Sequence, residues 1–174
     1  MDSFQGTALI ADPSAAAGRA AAYLLEQLGF RVVLTDNADE ALALIAGTSP
    51  DLVLAEARVE TRDGRWLTEA IRCLPGGQAA CLFHVTAESA AASIHRAIEA
   101  GADDYLVKPY DEALLRFKLM QAKMRGRLCR EPGGRRTTLR LVQDNDAVAG
   151  VSQAQTGART GDTSWRFRLY GRAV

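Results

Sequence analysis

The sequence alternates short apolar runs with longer helix-forming segments, and this alternation limits the fold more than any other feature. The runs are apolar throughout rather than at every second position, which is typical of strands buried on both faces. Strands that alternate with helices in this way form a parallel sheet covered by helices. We predict strands at 8–11, 31–35, 51–55, 81–85 and 105–107, and helices at 15–28, 39–46, 65–73, 89–100 and 111–125.

The composition indicates a globular domain, with 48% hydrophobic and 24% charged residues in 174. Three cysteines are too few for a disulfide framework or metal cage, which favours a reducing compartment. We expect Cys73 and Cys81 to be small apolar fillers. No run approaches the roughly 18 apolar residues of a membrane helix, and residues 1–6 do not resemble a signal peptide. A cytoplasmic protein without membrane contact is therefore expected.

Four polar residues directly follow predicted strands: Asp12, Glu56, Thr86 and Lys108. Ligands of open parallel sheets bind outside the carboxyl ends of the strands, so these side chains form the candidate site. Two carboxylates suit a hard divalent cation, and a hydroxyl with an ammonium suits phosphate oxygens. The residue types therefore point to phosphoryl chemistry.

The chain contains five motifs in this order: Leu9-Ile10-Ala11-Asp12, 50–56 (PDLVLAE), Asp63-Gly64, Val85-Thr86-Ala87 and 101–109 (GADDYLVKP). Together they resemble the receiver domain of bacterial response regulators, the CheY-like family. The resemblance covers about residues 6–124 and implies a flavodoxin-like α/β fold, with five parallel strands in the order 2-1-3-4-5 and five helices. It also implies a phosphoryl group accepted on an aspartate beside Mg²⁺.

Two departures from the family fall on this chemistry. Glu56 stands where the family has its phosphoacceptor aspartate, and Asp12 is followed by Pro13 where the family has a second acidic residue. Mg²⁺ would keep only Asp12, Glu56 and the carbonyl of Arg58, so we expect weak binding or none. Two readings remain open: a switch locked in an active-like state, with Thr86 or Lys108 contacting Glu56, or a buried polar cluster left from an ancestral site.

The resemblance also implies a switch and a docking surface. Thr86 and Tyr105 correspond to the residues that report the switch. The surface formed by helix 4, strand 5 and helix 5 of the family corresponds to residues 89–125 and would meet a protein partner. We expect His84 to lie at a strand end and His95 to be an exposed helical residue, since neither has a partner at metal-ligand spacing.

A net charge of zero hides an uneven distribution. Residues 1–124 hold 11 basic and 17 acidic side chains, a net −6, whereas residues 125–174 hold ten basic and four acidic, a net +6. All ten basic residues of the second part are arginines. We therefore divide the chain into a receiver, 1–124, and an arginine-rich extension, 125–174, predicted to be flexible or to fold on ligand binding.

The extension combines guanidinium groups with carboxylate and aromatic side chains. Arginine forks onto phosphate oxygens and onto the O6 and N7 edge of guanine, and aromatic rings stack on bases. An aspartate can accept hydrogen bonds from the donor edge of guanine. A ligand that carries guanines and phosphates would satisfy this set. The candidate ligand residues are Arg135, Arg136, Arg140, Asp144, Trp165, Arg166 and Arg168.

The Arg-Arg-x-x-x-Arg spacing resembles the arginine motif of PilZ domains, which bind cyclic di-GMP. A receiver that has lost its phosphorylation residues and carries such an extension resembles the Cle family of CheY-like cyclic di-GMP effectors. That resemblance implies a non-enzymatic protein that binds cyclic di-GMP through the extension. The ligand-bound protein would then dock at the flagellar switch, be recruited to the flagellar pole, and tune motility or attachment.

Other functions remain open. The chain can act as a stand-alone receiver adaptor with an inert extension, or bind nucleic acid through its basic residues with strong salt dependence, which we regard as the less favoured option. Phosphotransfer through Glu56 is the least favoured. Residues 165–170 alternate apolar residues with arginine and predict a strand, either on the receiver or formed only on binding.

Overall fold

The computed structural model describes residues 4–128 and the short strand Leu169–Tyr170. Five parallel strands form the sheet in the order β5-β4-β3-β1-β2, and the sixth strand pairs with the outer edge of β2. This is the flavodoxin-like topology 2-1-3-4-5 predicted above. The strands are β1 (Gly6–Ala11), β2 (Phe30–Thr35), β3 (Leu52–Glu56), β4 (Cys81–Thr86), β5 (Asp104–Val107) and β6 (Leu169–Tyr170).

Helices connect the parallel strands, and side-chain caps fix where three of them begin. Ser14, Asn37 and Asp111 each accept a hydrogen bond from a backbone N–H in the first turn of the helix that follows, which satisfies a donor that has no partner within the helix. The helices are α1 (Ala15–Gln27), α2 (Ala38–Thr48), α3 (Leu67–Arg72), α4 (Pro75–Ala79), α5 (Ala91–Glu99) and α6 (Glu112–Met124).

Two apolar clusters cover the two faces of the sheet. Strand β1 contributes Ala8 and Ile10 to the cluster under α1 and α6, and Leu9 and Ala11 to the cluster under α2 and α3. Successive side chains of a strand point to opposite faces, so a strand between two layers of helices must be apolar at every position. The continuous apolar runs of the sequence have this cause.

Among residues 4–128, the structure has six helices where the sequence predicted five. No element was predicted at residues 75–77, but Pro75 opens the short helix α4, because proline fits the first turn, where its missing N–H has no role. Helix α4 packs closely on the end of α3. A Cβ atom on Gly77 would lie 1.9 Å from the carbonyl oxygen of Ile71, so this approach requires glycine.

The prediction for the two cysteines holds at one position and fails at the other. Cys81 is fully buried in the cluster under α1 and α6, where burial raises the pKa of its thiol to about 12. Cys73 was expected to be a filler but is exposed. It follows the last residue of α3, where the helix leaves the core, so the apolar period of α3 does not extend to it.

An ion-pair cluster around Asp103 ties the end of α6 to the sheet. The Asp103 carboxylate accepts hydrogen bonds from Arg72 at 2.8 Å, from Arg127 at 2.7 and 3.0 Å, and from the amide of Leu82 at 2.8 Å. Leu128 packs against the cluster under α1 and α6. Contacts with the receiver therefore continue past α6 as far as Leu128.

Within the described residues, no helix is both long and apolar enough to span a membrane.

Candidate functional site

The carboxyl ends of four neighbouring strands bring the four predicted site residues to one edge of the sheet. Asp12 follows β1, Glu56 ends β3, Thr86 ends β4 and Lys108 follows β5. The backbone links two of them directly, because the amide of Lys108 donates to the carbonyl of Thr86 at 2.7 Å. The strand order 2-1-3-4-5 places these positions side by side although up to 96 residues separate them.

The Lys108 ammonium pairs with the Asp12 carboxylate. Lys108 Nζ lies 2.6 Å from Asp12 Oδ2, and Asp12 is only 4% exposed. The other oxygen, Oδ1, accepts a hydrogen bond from the Ser14 amide at 2.9 Å. Both oxygens of Asp12 thus have partners. Burial, together with the nearby Asp12 charge, raises the pKa of Tyr110 to about 12, so this phenol stays protonated beside the site.

The Glu56 carboxylate is held by the residue two positions further along the chain. Glu56 Oε2 accepts from the Arg58 amide at 2.7 Å, and Oε1 accepts from Arg58 Nε at 3.1 Å. Lys108 Nζ lies 3.9 Å from Oε1. The sequence suggested Lys108 or Thr86 as partners of Glu56. Lys108 lies closer to Asp12 than to Glu56. Arg58 donates two hydrogen bonds to the Glu56 carboxylate.

Thr86 and Tyr105 lie on adjacent strands near the site. Thr86 is buried, and its hydroxyl oxygen accepts from the Glu88 amide at 3.0 Å. Its predicted contact with Glu56 remains a prediction. Tyr105 is half-buried, and Lys118 Nζ lies 4.4 Å from the centre of its ring. A cation over an aromatic face is attracted by the ring quadrupole, which holds the tyrosine against α6.

The charges of the site balance locally. Two buried carboxylates, Asp12 and Glu56, face two cations, Lys108 and Arg58. Mg²⁺ in proteins is usually held by one or two carboxylates and keeps several waters. Here Pro13 supplies no carboxylate, and the Arg58 amide and guanidinium already bind Glu56. No three His, Cys, Asp or Glu side chains within the described part of the chain come together as a metal-binding group. The weak Mg²⁺ binding expected from the sequence remains a prediction.

A second cluster, which the sequence did not reveal, lies on the same face of β4 as Thr86. His84 was expected at a strand end but is buried inside β4, where its Nδ1 lies 3.1 Å from the Thr68 hydroxyl. Its ring stacks on Trp66 at 5.2 Å, and the Arg96 guanidinium lies 4.5 Å from the Trp66 ring centre. Burial lowers the pKa of His84, with Glu56 acting in the opposite direction.

A signal for this cluster existed in the sequence, although it was weak. His84 stands two positions before Thr86 in an otherwise apolar run, so the period of a strand places it on the same face as Thr86. Its partners Trp66 and Arg96 come from other elements, and no local pattern predicts them. His95 is exposed as expected, with its Nδ1 3.4 Å from Glu99.

The proposed ligand residues of the extension lie outside the described residues. The structure therefore describes the receiver part of the predicted site and the backbone of Leu169–Tyr170. The residues concerned are Arg135, Arg136, Arg140, Asp144, Trp165, Arg166 and Arg168.

Comparison with known proteins agrees with this fold. The chain is 36% identical over 95 residues to the sensor histidine kinase GacS of Pseudomonas protegens, and the match covers 53% of this chain and 10% of GacS. It is 31% identical over 114 residues to the transcriptional regulatory protein ResD of Bacillus subtilis, covering 64% of this chain and 46% of ResD. The chain thus spans less than half the length of either relative.

A solved structure and a family model agree on the identity of the domain. The receiver domain of the histidine kinase PA1611 from Pseudomonas aeruginosa PAO1, solved with a magnesium ion in its active-site cleft, has a TM-score of 0.61 at 25% identity. The match covers 67% of this chain and 96% of that one. The family model of the response regulator receiver domain matches residues 8–120. The chain therefore belongs to the response regulator receiver domain family.

Proposed function

We propose that this protein is a non-enzymatic signalling receiver whose input is cyclic di-GMP, bound by the arginine-rich extension, in place of phosphorylation. The ligand-bound protein then docks on a protein partner such as the flagellar motor switch. The observation that carries the first part is the 2.6 Å ion pair between Lys108 and Asp12, with Glu56 hydrogen-bonded to Arg58 beside it.

This arrangement disfavours phosphoryl transfer for two reasons. Acceptance of a phosphoryl group depends on a divalent cation to neutralise the charge that accumulates on the phosphate oxygens. Here Lys108 and Arg58 already neutralise the carboxylates, so a cation would have to displace them. Glu56 also carries its carboxylate one methylene further from the backbone than aspartate, which moves the oxygen away from the position that an aspartate nucleophile occupies.

The charge and chemistry of the extension support an anionic ligand. Residues 125–174 carry ten arginines against four acidic side chains. Two of their clusters combine arginine with groups that recognise guanine, namely Asp144 after Arg140 and Trp165 before Arg166. Cyclic di-GMP offers two phosphates and two guanines, so a small number of arginines and one aromatic ring can contact every part of it.

An apolar stripe on α6 supports docking on a protein. Four large apolar side chains of this helix are exposed, at 39% to 86% of their surface, and they recur at helical spacing on one side of it. Exposed apolar patches of this kind mark interaction surfaces. The stripe lies on α6, and α6 is one of the three elements (α5, β5 and α6) that correspond to the surface predicted for docking. Its members are Leu114, Phe117, Met120 and Met124.

Calorimetric titration of the full-length protein with cyclic di-GMP tests the proposal. We expect saturable binding that is lost when Arg135, Arg136 and Arg140 are replaced by alanine. The control replaces the exposed receiver arginines Arg19 and Arg31, and it should bind like the wild type. If no heat is released at tens of micromolar ligand, cyclic di-GMP is not the input of this protein. If the triple variant keeps its affinity, the binding site lies outside these three arginines.

The apolar stripe equally favours a second function, a receiver adaptor that needs no small ligand. Partner capture from a bacterial lysate with wild type and Phe117→Glu protein, each with and without cyclic di-GMP, separates the two. Capture that depends on both Phe117 and the messenger supports the proposed function. Capture that depends on Phe117 alone supports the adaptor. Displacement of the messenger by random-sequence DNA at physiological salt would favour nucleic-acid binding instead.

A further inference from the structure

A cleft on the receiver surface, between α3 and α5, has lining residues distinct from the four at the strand ends. Its volume is about 360 Å³, and it is lined by Trp66, Glu69, Arg96, Glu99 and Ala100. Small-molecule sites in proteins usually measure about 300–1,000 Å³ and combine aromatic side chains with a few polar groups. The cleft has both the size and the side chains of such a site.

Trp66 forms a rigid aromatic wall of this cleft. It is the residue directly before α3 and is half-buried. Its ring stacks on His84 at 5.2 Å, and Nδ1 of His84 lies 3.1 Å from the Thr68 hydroxyl. Because His84 and Thr68 are both buried, the tryptophan ring is held from within. A wall that is already ordered adds little to the entropic cost of binding a ligand.

Arg96 of α5 covers the tryptophan with a guanidinium group. Its guanidinium carbon lies 4.5 Å from the centre of the Trp66 ring, a distance at which the ring attracts a cation. Arg96 is itself exposed, and a guanidinium plane is a surface on which nucleobases stack. Tryptophan and arginine together thus prepare a stacking platform for a flat ligand.

Two carboxylates lie beside this platform. Glu69 comes from α3 and Glu99 from α5, and both are exposed. Glu99 lies 3.4 Å from Nδ1 of His95, on its own helix. Glu69 is therefore the carboxylate better placed to meet a ligand in the cleft.

The carboxylate selects among flat ligands by their hydrogen-bond donors. An ionised carboxylate accepts hydrogen bonds through both oxygens and donates none. The Watson–Crick edge of guanine presents two adjacent donors, N1–H and the N2 amino group, which one carboxylate can accept together. The same edge of adenine sets the acceptor N1 beside its amino group, and N1 repels a carboxylate. The side chains of the cleft therefore favour guanine over adenine.

We propose that the cleft between α3 and α5 binds a guanine base, stacked on Arg96 and hydrogen-bonded to Glu69. This inference rests on the proposed function, in which a guanine nucleotide is the input, and it adds a binding site on the receiver itself. One guanine of the messenger contacts α3 and α5 while the extension contacts other parts of it. Because α5 belongs to the surface predicted for docking, the ligand then acts directly on that surface.

Titration of the full-length protein with GMP and AMP, followed by ¹⁵N NMR, tests the cleft by itself. The chain has two tryptophans, and Trp165→Phe protein assigns their indole N–H signals. We expect GMP to shift the Trp66 signal saturably and AMP to leave it nearly unchanged. Equal shifts with the two nucleotides would overturn the proposal.

A matched pair of variants tests the role of the carboxylate. Glu69→Gln keeps the size of the side chain but loses its charge and one acceptor, so it should weaken GMP binding about tenfold. Glu26→Gln is the control, because Glu26 is exposed on α1, on the other face of the sheet from α3, and it should bind like wild type. Unchanged affinity of Glu69→Gln for GMP would contradict the assignment.

Calorimetry with cyclic di-GMP separates this inference from the proposed function. Binding that is lost with Arg135, Arg136 and Arg140 but is equal in wild type and Glu69→Gln protein would overturn the cleft and leave the proposed function intact. No heat with cyclic di-GMP, together with a guanine-selective shift of Trp66, would overturn the proposed function and leave the cleft as a guanine site. Loss of affinity in both variants supports the two together.

Discussion

Lys108 Nζ lies 2.6 Å from Oδ2 of Asp12 and thereby joins the end of β5 to the end of β1 across the site. The pair is mostly buried, with 20% of the Lys108 side chain and 4% of the Asp12 side chain exposed. A second carboxylate, Glu56, lies 3.9 Å from the same ammonium. One cation thus lies between two buried anions, and the stability of the site should depend on it.

Replacement of Lys108 by methionine should destabilise the fold. The variant keeps most of the aliphatic stem but leaves Asp12 buried without its cation and close to Glu56. Removal of one partner from a buried ion pair costs about 3–5 kcal/mol, reduced here to about 2–3 kcal/mol because Lys108 is partly exposed. Urea unfolding measures the loss. The control Lys123→Met, at an exposed position of α6, should change the free energy of unfolding by less than about 0.5 kcal/mol, and an equal loss in both variants would contradict the assigned role.

A cation site should appear when the two missing features are restored. Pro13→Asp adds a carboxylate after β1. Glu56→Asp shortens the second side chain by one methylene, which takes its carboxylate out of reach of the hydrogen bonds from Arg58. The double variant should bind Mg²⁺ in calorimetric titration, because three carboxylates near one another favour a hard cation. The wild type and each single variant should bind more weakly. Equal binding by wild type and double variant would show that the present donor set suffices.

Stability should fall in mild acid because of His84. Burial lowers the pKa of His84 in the folded protein from the ordinary value of 6.5. At a pH below about 6.5, His84 is protonated in the unfolded chain but stays neutral in the folded protein, so the free energy of unfolding decreases as the pH falls. Above that pH, the stabilisation that depends on neutral His84 is fully present.

Thermal unfolding of His84→Leu across this pH range checks the assignment. The variant should lose the His84 part of the decline, whatever its stability at neutral pH. His95→Gln is the matched control, since His95 is exposed and contacts Glu99, and it should keep the wild-type decline. If both variants keep the decline, another group is responsible.

The cluster around Asp103 should hold the end of α6 against the sheet. Burial alone raises the pKa of Asp103, but hydrogen bonds from Arg127 and the Leu82 amide, with the charge of Arg72, bring it below its usual range. Asp103→Asn should cost about 1–3 kcal/mol, because two arginines lose their anion. Hydrogen exchange in residues 122–128 should accelerate. Glu60→Gln, at an exposed position, should leave both measurements unchanged.

The contact of Gly77 with Ile71 should make this glycine irreplaceable. A Cβ at Gly77 would meet the Ile71 carbonyl oxygen at 1.9 Å, so Gly77→Ala should displace α4 and cost at least about 2 kcal/mol. Gly47→Ala is the control: Gly47 lies in α2, and a Cβ there meets no atom within 4 Å. That variant should be neutral or more stable, by up to about 1 kcal/mol. A similar loss in both would contradict the steric explanation.

The hydrophobic pattern of the sequence predicted the secondary structure, which depends mainly on residues close together in the chain. The strands follow from apolar runs, and the helices from the residue types and period of the segments between them. The sequence alone also shows that Glu56 stands where the family has an aspartate and that Pro13 stands where it has a second acidic residue. The short helix α4 was missed because its Pro75-Gly76-Gly77 start is also typical of a turn, and only its packing on α3 selects the helix.

Side-chain partners were decided by the tertiary structure. Lys108 is 96 residues from Asp12 in the chain, and His84 meets Trp66 and Thr68 only because β4 lies beside β3 and under α3. The energy of such contacts depends on the distance between the groups and on their burial. Both are set by the topology of the fold and cannot be predicted from the local sequence. The sequence by itself therefore determined which chemical groups stand at the strand ends, and the tertiary structure decided that Lys108 neutralises Asp12 and that Arg58 holds Glu56.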